Sequence, residues 1–343
     1  MRVSRTRSTE CSESAHAHPH MKAVVYTRYG PPEVLQIRDV AKPVPAATEI
    51  LIQVYAATVN RTDCGYRSAK YFVSRFFTGL VKPKRTVAGS EFAGKVVGIG
   101  ADVTDFKVGD RVFGFDDLRG SAHAEYMTEA AGGPVTTMPS GDTYEQVAPA
   151  AEGATYAINV IRAVRIRKGQ RALVYGASGA IGSAAVQILK HLGVRITAVC
   201  GTNSVSVVEK LGADRVISFE TEDFTQIPER FDFIFDAVGK SSYGRCKKLL
   251  APQGTYYSTE LGRGFQNPLL AIWFAITRSR RVIFPIPKID KEKIDHIKQL
   301  LESGEFKPLI DRTYPLDEIV EAVRYVETGQ KIGNVVLRVA PSD

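Results

Sequence analysis

Cysteine is scarce in this sequence, and no cysteine lies near another. Cys11, Cys64, Cys200 and Cys246 are spread over a chain of 343 residues, and no C-x-x-C pair occurs. A secreted domain held together by disulfides would carry more cysteines at close spacing, and a four-cysteine zinc lobe would need them in one local run. The spacing excludes both arrangements and predicts a reduced, cytoplasmic protein.

Long apolar runs are also missing. The nearest candidate, "NPLLAIWFAI", extends only from Asn267 to Ile276, whereas a membrane-spanning helix needs about 20 apolar residues. The formal net charge is +8, but the lysines and arginines are scattered among the acids and form no stripe with interleaved aromatic residues. We therefore predict neither a membrane span nor nucleic-acid binding.

Residues 1–20 have a composition unlike that of the rest of the chain. The whole chain is 44% hydrophobic and 24% charged, which is typical of a folded protein, and it is long enough for two domains. The first 20 residues are instead rich in Arg, Ser and His and have almost no aliphatic residues. We interpret them as a disordered extension. A transit peptide is the alternative, although Glu10 and Glu13 are unusual in one.

The remaining chain has two halves with different patterns. Residues 21–152 contain short alternating segments with turn residues between them, which predicts a β-rich domain. In residues 153–286 strand-like segments alternate with helical ones, as in "RALVY" before "AIGSAAVQILKHLG", and end with "GTYYST" and "RRVIFPI". This alternation predicts a doubly wound parallel sheet, and so an α/β fold class. Residues 287–343 end in a strand, "GNVVLRV", with no helix after it, so we predict that they complete the first domain.

A glycine-rich turn, "GASGAIG", extends from Gly176 to Gly182 between the strand "RALVY" and its helix. Dinucleotide-binding folds need small residues there for a tight turn, for close approach of the backbone to pyrophosphate, and for helix packing. The first turn of the helix, from Ala180, would offer free N–H groups to the phosphates. The turn predicts a dinucleotide cofactor.

Several spaced segments together resemble one superfamily. They are "GIGADVTDFKVGDRVFG" (98–114), "GSEFAG", "AEY", "GASGAIG" and "LGAD", and the similarity extends over residues 21–339. The chain resembles the medium-chain dehydrogenase/reductase superfamily and is most similar to its zinc-independent quinone oxidoreductase branch. The resemblance implies a GroES-like catalytic domain, a Rossmann cofactor domain, and a homodimer joined through edge strands of the Rossmann domains.

The resemblance also bears on zinc. Zinc-dependent members carry a Cys and a His as catalytic ligands, and the matching positions here hold Asn60 and Ser90. Neither an amide nor a hydroxyl replaces thiolate and imidazole as a tetrahedral zinc ligand. We therefore predict no metal site.

Without a metal, the substrate must be polarised by hydrogen bonds while the cofactor supplies the hydride. The candidate donors are Asn60, which the resemblance matches to the Asn of the quinone reductase motif, and Tyr66 and Tyr71. Asn60 could instead stabilise a turn, and the tyrosines could simply form pocket wall. The predicted reaction is NADPH-dependent reduction of small hydrophobic quinones or α,β-unsaturated carbonyl compounds.

Two alternatives stay open. In the related 2-enoyl thioester reductases a tyrosine follows the same Asn by eleven residues, which is the spacing of Tyr71 from Asn60. The other alternative is a non-catalytic NADPH-binding sensor or interaction module, because a fold alone does not establish turnover.

The segment after the second Rossmann strand sets the cofactor preference. NAD-specific sites place an acid about 20 residues beyond the glycines to bind the ribose hydroxyls. Here "RITAVC" is followed by small polar residues, with no acid and no basic residue, so we predict NADPH over NADH. The resemblance places Thr155 beside the nicotinamide. The full set of predicted cofactor-binding residues is Thr155, Gly176, Ala177, Ser178, Gly179, Ala180, Ile181, Gly182, Gly201, Thr202, Asn203, Ser204 and Val238.

Overall fold

The computed structural model describes residues 19–69, 75–117 and 119–341, apart from the side chain of Phe77. Tyr71 and residues 1–18 of the predicted extension lie outside the described residues. The strands are β1 (His20–Val25), β2 (Gln36–Ala41), β3 (Glu49–Val59), β4 (Glu91–Ile99), β5 (Arg111–Phe115), β6 (Tyr126–Ala130), β7 (Val135–Thr137), β8 (Arg171–Tyr175), β9 (Arg195–Cys200), β10 (Arg215–Ser218), β11 (Phe231–Asp236), β12 (Leu250–Ser258), β13 (Ile310–Pro315) and β14 (Asn334–Arg338). The α-helices are α1 (Arg61–Ser68), α2 (Arg75–Thr78), α3 (Tyr144–Val147), α4 (Ala151–Val164), α5 (Ala180–His191), α6 (Val205–Lys210), α7 (Tyr243–Cys246), α8 (Gln266–Ile276), α9 (Lys291–Glu302) and α10 (Ile319–Thr328).

Strands of the first half and of the C-terminal segment form one sheet with the order β13-β14-β3-β4-β5-β7, and β6 also pairs with β3. All of its pairs are antiparallel except β13 with β14, which is parallel. Its longest strand, β3, consists largely of β-branched and other apolar residues, and nearly all of them are buried. The C-terminal strand β14 pairs antiparallel with β3, with Val335 opposite Val59. The C-terminal strand therefore lies in the same sheet as β3 to β7, whereas β1 and β2 pair with each other in a separate two-stranded sheet.

The second half forms a five-stranded parallel sheet with the order β10-β9-β8-β11-β12. Alternate residues of β8 enter different cores: Ala172 and Val174 pack into the cluster that contains α4 and α5, and Leu173 and Tyr175 into the cluster on the other face. The chain order reverses between β8 and β11. Ligands of open α/β sheets bind at such a switch point, beyond the carboxyl ends of the strands.

The predicted α/β architecture is confirmed, with differences at single elements. The predicted strand at 280–286 is wrong, because Val282 makes only an isolated parallel bridge to Tyr256. Pro285 and Pro287 follow, and proline cannot donate to a strand ladder. Strand β1 begins at His20, one residue before the predicted domain start, because His20 pairs with Ala41. Over the described ranges, no helix is long and apolar enough to cross a membrane.

Candidate functional site

The glycine-rich turn between β8 and α5 is built so that larger residues do not fit. Gly176 has a φ of 80°, and a Cβ there would lie 2.6 Å from the side chain of Val238. A Cβ on Gly182 would lie 2.1 Å from the carbonyl oxygen of Gly176. The tight turn and the close helix packing predicted for these glycines are both present.

Gly179 differs from the other two glycines. It is the N-cap of α5, no side chain caps the helix, and a Cβ on Gly179 would have no neighbour closer than 3.6 Å. The backbone N–H groups of the first turn, from Ala180 to Gly182, have no intrahelical partner because they begin the helix. Open space in front of free N–H groups and a positive helix end fits a pyrophosphate.

The C-terminal segment covers this turn. The N–H of Gly333 donates to the carbonyl oxygen of Ser178 at 2.7 Å, and Gly179 and Gly333 form an isolated parallel bridge. Residues 325, 326 and 328–332 thereby line the same cleft as the glycine-rich turn. The cleft has a volume of about 640 Å³, and its lining includes Asn60 and Glu152 as well as Asn203 and Glu220.

The structure brings most of the predicted cofactor-binding residues to this cleft. Those that line it are Gly176, Ser178, Gly179, Ala180, Ile181, Gly201, Asn203, Ser204 and Val238. Ala177 is buried in the core behind the turn, and Gly182 lies behind it in close packing. Thr202 is turned away, since its Oγ1 lies 2.7 Å from Oγ of Ser218. Thr155 is fully buried and is not among the residues that line the cleft, and its Oγ1 has no hydrogen-bond partner within the described part of the chain. Its place beside the nicotinamide stays a prediction.

Sequence reasoning missed the charged residues of the cleft. Four basic side chains line the cleft, and they are Arg61, Lys240, Arg312 and Lys331. None of them belongs to the segment after β9, where the sequence prediction looked for a basic residue. Burial lowers the pKa of Lys331 to about 8. Glu220, just beyond β10, also lines the cleft, and its Oε1 would lie 3.1 Å from a Cβ on Gly201. No local signal in the sequence connects these residues, because separate elements bring them together.

Asn60 is the N-cap of α1 and lines the cleft, but its side chain is only 3% exposed. Its amide Nδ2 donates to Oγ1 of Thr58 at 2.8 Å and to Oε2 of Glu91 at 3.0 Å. An amide has two N–H donors, so both are used within the protein. The predicted role of Asn60 as a donor to substrate stays a prediction, and the geometry gives it a positioning role beside Glu91.

Glu91 is the centre of a buried polar network. Its Oε2 accepts from Thr58 and Asn60, and its Oε1 accepts at 2.7 Å from the backbone N–H groups of Ala151 and Glu152. Burial raises the pKa of Glu91 to about 7, although the four hydrogen bonds that its carboxylate accepts lower the pKa. The carboxylate therefore connects β3 and β4 to the first turn of α4.

The predicted donor Tyr66 lies in the crevice between the two halves of the chain. Next to the cofactor cleft, a space of about 520 Å³ is lined by Tyr66, Tyr156, Tyr257 and Phe284 among others. The hydroxyls of Tyr66 and Tyr156 both donate to Oδ2 of Asp117 at 3.3 Å. Burial and the nearby Asp117 carboxyl raise the pKa of Tyr66 well above its usual range.

A second acid of the site, Glu152, stands in the first turn of α4. Its Oε1 accepts a 2.5 Å hydrogen bond from Oγ1 of Thr62, and its buried Oε2 has no partner among residues 19–69, 75–117 and 119–341. Burial raises the pKa of Glu152 well above its usual range, and repulsion by Glu91 adds to the effect. Sequence reasoning missed this residue because an acid in the first turn of a helix is ordinary.

The positions that would hold zinc are occupied by groups with other hydrogen bonds. Ser90 donates through Oγ to Oδ1 of Asp63 at 2.9 Å, and Asn60 is bonded to Thr58 and Glu91. Within the described residues, no group of three or more His, Cys, Asp or Glu side chains could hold a metal ion.

Comparisons with known proteins agree with this architecture. A family model described as "Alcohol dehydrogenase GroES-like domain" matches residues 46–159, and one described as "Zinc-binding dehydrogenase" matches residues 211–337. A 2-methylene-furan-3-one reductase of Solanum lycopersicum is 29% identical, over 98% of this chain and 84% of its own length. An NADPH-dependent alkenal/one oxidoreductase of Arabidopsis thaliana, named as chloroplastic, is 27% identical, over 94% of this chain and 80% of its own length.

Among solved structures, the quinone oxidoreductase from Coxiella burnetii superposes with a TM-score of 0.83 at 24% identity. The match covers 94% of this chain and all of that one. A neighbour of this kind establishes the fold, and the two family models between them match both halves of the chain. The chain belongs to the medium-chain dehydrogenase/reductase superfamily of oxidoreductases.

Proposed function

We propose that this oxidoreductase uses NADPH to reduce quinones or α,β-unsaturated carbonyl compounds, without a catalytic zinc. The observation that carries the proposal is the crevice itself. A turn that fits a pyrophosphate lines the same cleft as Asn60, Thr62 and Glu152, and the resemblance matches Asn60 to a zinc-ligand position of the zinc-dependent members. When bound, NADPH supplies the hydride. The residues of the chain must then orient the acceptor and handle its proton.

The residues of the cleft support NADPH. The turn from Gly176 to Gly182 fits a pyrophosphate, and the basic side chains of the cleft complement phosphate charge. The Arabidopsis relative is named as NADPH-dependent, which agrees with this assignment.

The residues at the two positions matched to zinc ligands, Asn60 and Ser90, support a mechanism without zinc. Asn60 and Ser90 are both committed to hydrogen bonds inside the protein, and neither residue type is a usual zinc ligand. Acceptors that are already electrophilic, such as quinones and enones, need less polarisation than simple ketones. The apolar and aromatic wall formed by Tyr156, Tyr257 and Phe284 suits a small hydrophobic acceptor.

An acceptor screen tests the proposal. The protein should oxidise NADPH in the presence of a simple quinone or a small enone, and the rate should survive a strong chelator. Preference for a 2-enoyl thioester would select that alternative. Tight NADPH binding with no turnover on any acceptor would favour a sensor, and a bound zinc lost together with activity would overturn the zinc-free mechanism.

Cofactor preference can be changed at the end of β9. We expect kcat/KM to be higher with NADPH than with NADH in the wild type. Asn203→Asp adds a carboxylate at a position that lines the cleft and should shift the preference toward NADH. Glu220→Gln removes a carboxylate from the same end of the cleft and should shift it the other way. Kinetics with both cofactors measure the ratio, and a wild-type preference for NADH would contradict the assignment.

An exposed apolar surface supports the homodimer implied by the resemblance. Helix α8 exposes Leu269, Ile272, Trp273 and Ile276, each by more than half. Their spacing places them on one face of the helix. A contiguous apolar face of this kind commonly marks a protein interface, and we propose that a second copy of the chain covers it. The cytoplasmic location stays a prediction.

A further inference from the structure

We propose that the paired side chains of Glu152 and Thr62 deliver the proton that completes the reduction. The proposal rests on the proposed function and adds to it a residue pair that handles the proton. Helix α4 fixes Glu152 beside the cofactor turn, because the N–H of Glu152 donates to Glu91 and a Cβ on Gly153 would lie only 2.7 Å from the carbonyl oxygen of Ala180. Glu152 and Thr62 both line the cleft, together with Ile181 of the turn.

The carboxyl of Glu152 is positioned to hold a proton and to release it to Thr62. It is 4% exposed, its Oε1 accepts from Thr62, and its Oε2 has no hydrogen-bond partner in the described chain. A buried carboxylate with one oxygen unpartnered is costly in its charged form, and a proton on Oε1, shared with Thr62, removes that charge. Burial, and then repulsion by the carboxyls of Glu91 and Asp63, raise the pKa of Glu152, which favours its protonated form.

The other donors near the crevice are committed elsewhere. Asn60 uses both amide hydrogens on Thr58 and Glu91. Tyr66 and Tyr156 both donate to Asp117. The hydroxyl of Thr62 is different, because its one hydrogen goes to Oε1 of Glu152 only while that oxygen carries no proton. When Glu152 holds a proton on Oε1, it donates across the same contact, and the Thr62 hydrogen is then free for a substrate in either part of the crevice.

The proton transfer balances the hydride transfer. Bound NADPH would supply a hydride to the β-carbon of an enone, and the electron pair of the C=C bond would move toward the carbonyl to give an enolate. Thr62 gives its hydroxyl proton to the enolate, while its Oγ1 takes the proton that Glu152 holds on Oε1, 2.5 Å away. NADP⁺, the reduced carbonyl compound and the Glu152 carboxylate result, and a proton from solvent restores the acid.

Two acceptors of different product basicity test the proposal. With a small enone, Glu152→Gln should lower kcat by about 100-fold, the usual scale of general acid catalysis. With a benzoquinone that carries electron-withdrawing groups, the product anion is weakly basic, so the loss should be at least tenfold smaller. The Kd of NADPH should stay within about threefold of the wild type. Equal losses on both acceptors, or no loss on the enone, would overturn the proposal.

Variants of the partner and a matched control sharpen the test. Thr62→Val should lose as much enone reduction as Glu152→Gln, Thr62→Ser should retain most of it, and the double variant Glu152→Gln/Thr62→Val should lose little more than either single variant. Glu129→Gln is the control. Glu129 is 2% exposed with an unpartnered Oε2, and burial raises its pKa to about 7, but it does not line the crevice. Its enone kcat should stay within twofold.

The pH profile supplies a readout that a merely structural role would not move. In the wild type, kcat for the enone should fall as pH rises and Glu152 loses its proton, and this limb should vanish in Glu152→Gln. An unchanged profile would overturn the proposal. A wild type that reduces neither acceptor would instead refute the proposed function, and the proton pair with it.

The other titratable groups that face Glu152 are Asp63, Glu91, Tyr66, Tyr156 and Lys331.

Discussion

Gly182→Ala should nearly abolish NADPH binding and destabilise the parallel-sheet domain. The added methyl group would lie 2.1 Å from the carbonyl oxygen of Gly176, so α5 must move away from the turn. Overpacking against backbone typically costs about 1–3 kcal/mol of unfolding free energy. The displaced helix would also withdraw its N–H groups from the phosphates. We expect the Kd of NADPH to rise by at least 30-fold, about 2 kcal/mol, in a fluorescence titration.

Gly179→Ala separates cofactor binding from stability. Gly179 has an ordinary extended backbone (φ −78°, ψ 173°) and open space where a Cβ would stand. Alanine should therefore leave the unfolding free energy within about 1 kcal/mol of the wild type while obstructing the pyrophosphate. Gly132→Ala, which also meets no neighbour within 4 Å, should change neither quantity. If Gly179→Ala bound NADPH as tightly as the wild type, the phosphate would not lie at this turn.

The glycine turn and the sheets could be predicted because their signals are local. Gly176, Gly179 and Gly182 lie within seven consecutive residues, and strand and helix periodicities are read over similar lengths. The strand predicted at 280–286 failed at Pro285, since an apolar run fixes neither pairing nor partner. Periodicity reports which residues are buried, but strand pairing depends on the rest of the sheet.

The chemistry of the site was harder to predict because it depends on contacts distant in sequence. Thr62 and Glu152 are ordinary residues in their own helices, and only folding places their side chains 2.5 Å apart. The prediction for Asn60 shows the same limit. A donor amide can be identified from the sequence, but the two acceptors that use its hydrogens cannot. Only the structure shows that Oε2 of Glu152 has no hydrogen-bond partner in the described part of the chain.

Glu91→Ala should cause the largest loss of stability of any single change near the site. The carboxylate accepts four hydrogen bonds, and its removal would leave the N–H groups of Ala151 and Glu152 buried without partners. Each buried, unsatisfied donor costs about 1–3 kcal/mol, so we expect a decrease of about 3–5 kcal/mol in the free energy of unfolding.

Glu91→Gln serves as the comparison, because its amide oxygen can still accept from the two backbone N–H groups while its NH₂ group meets the donors of Thr58 and Asn60. Its loss should be about half that of Glu91→Ala, as measured by denaturant unfolding. Equal stability of Glu91→Ala and the wild type would mean that the start of α4 is held by other contacts. Glu91 also accepts a hydrogen bond from the N–H of Glu152, the proposed acid, so enone reduction should fall in both variants. The loss should be larger in Glu91→Ala, because that variant removes this hydrogen bond.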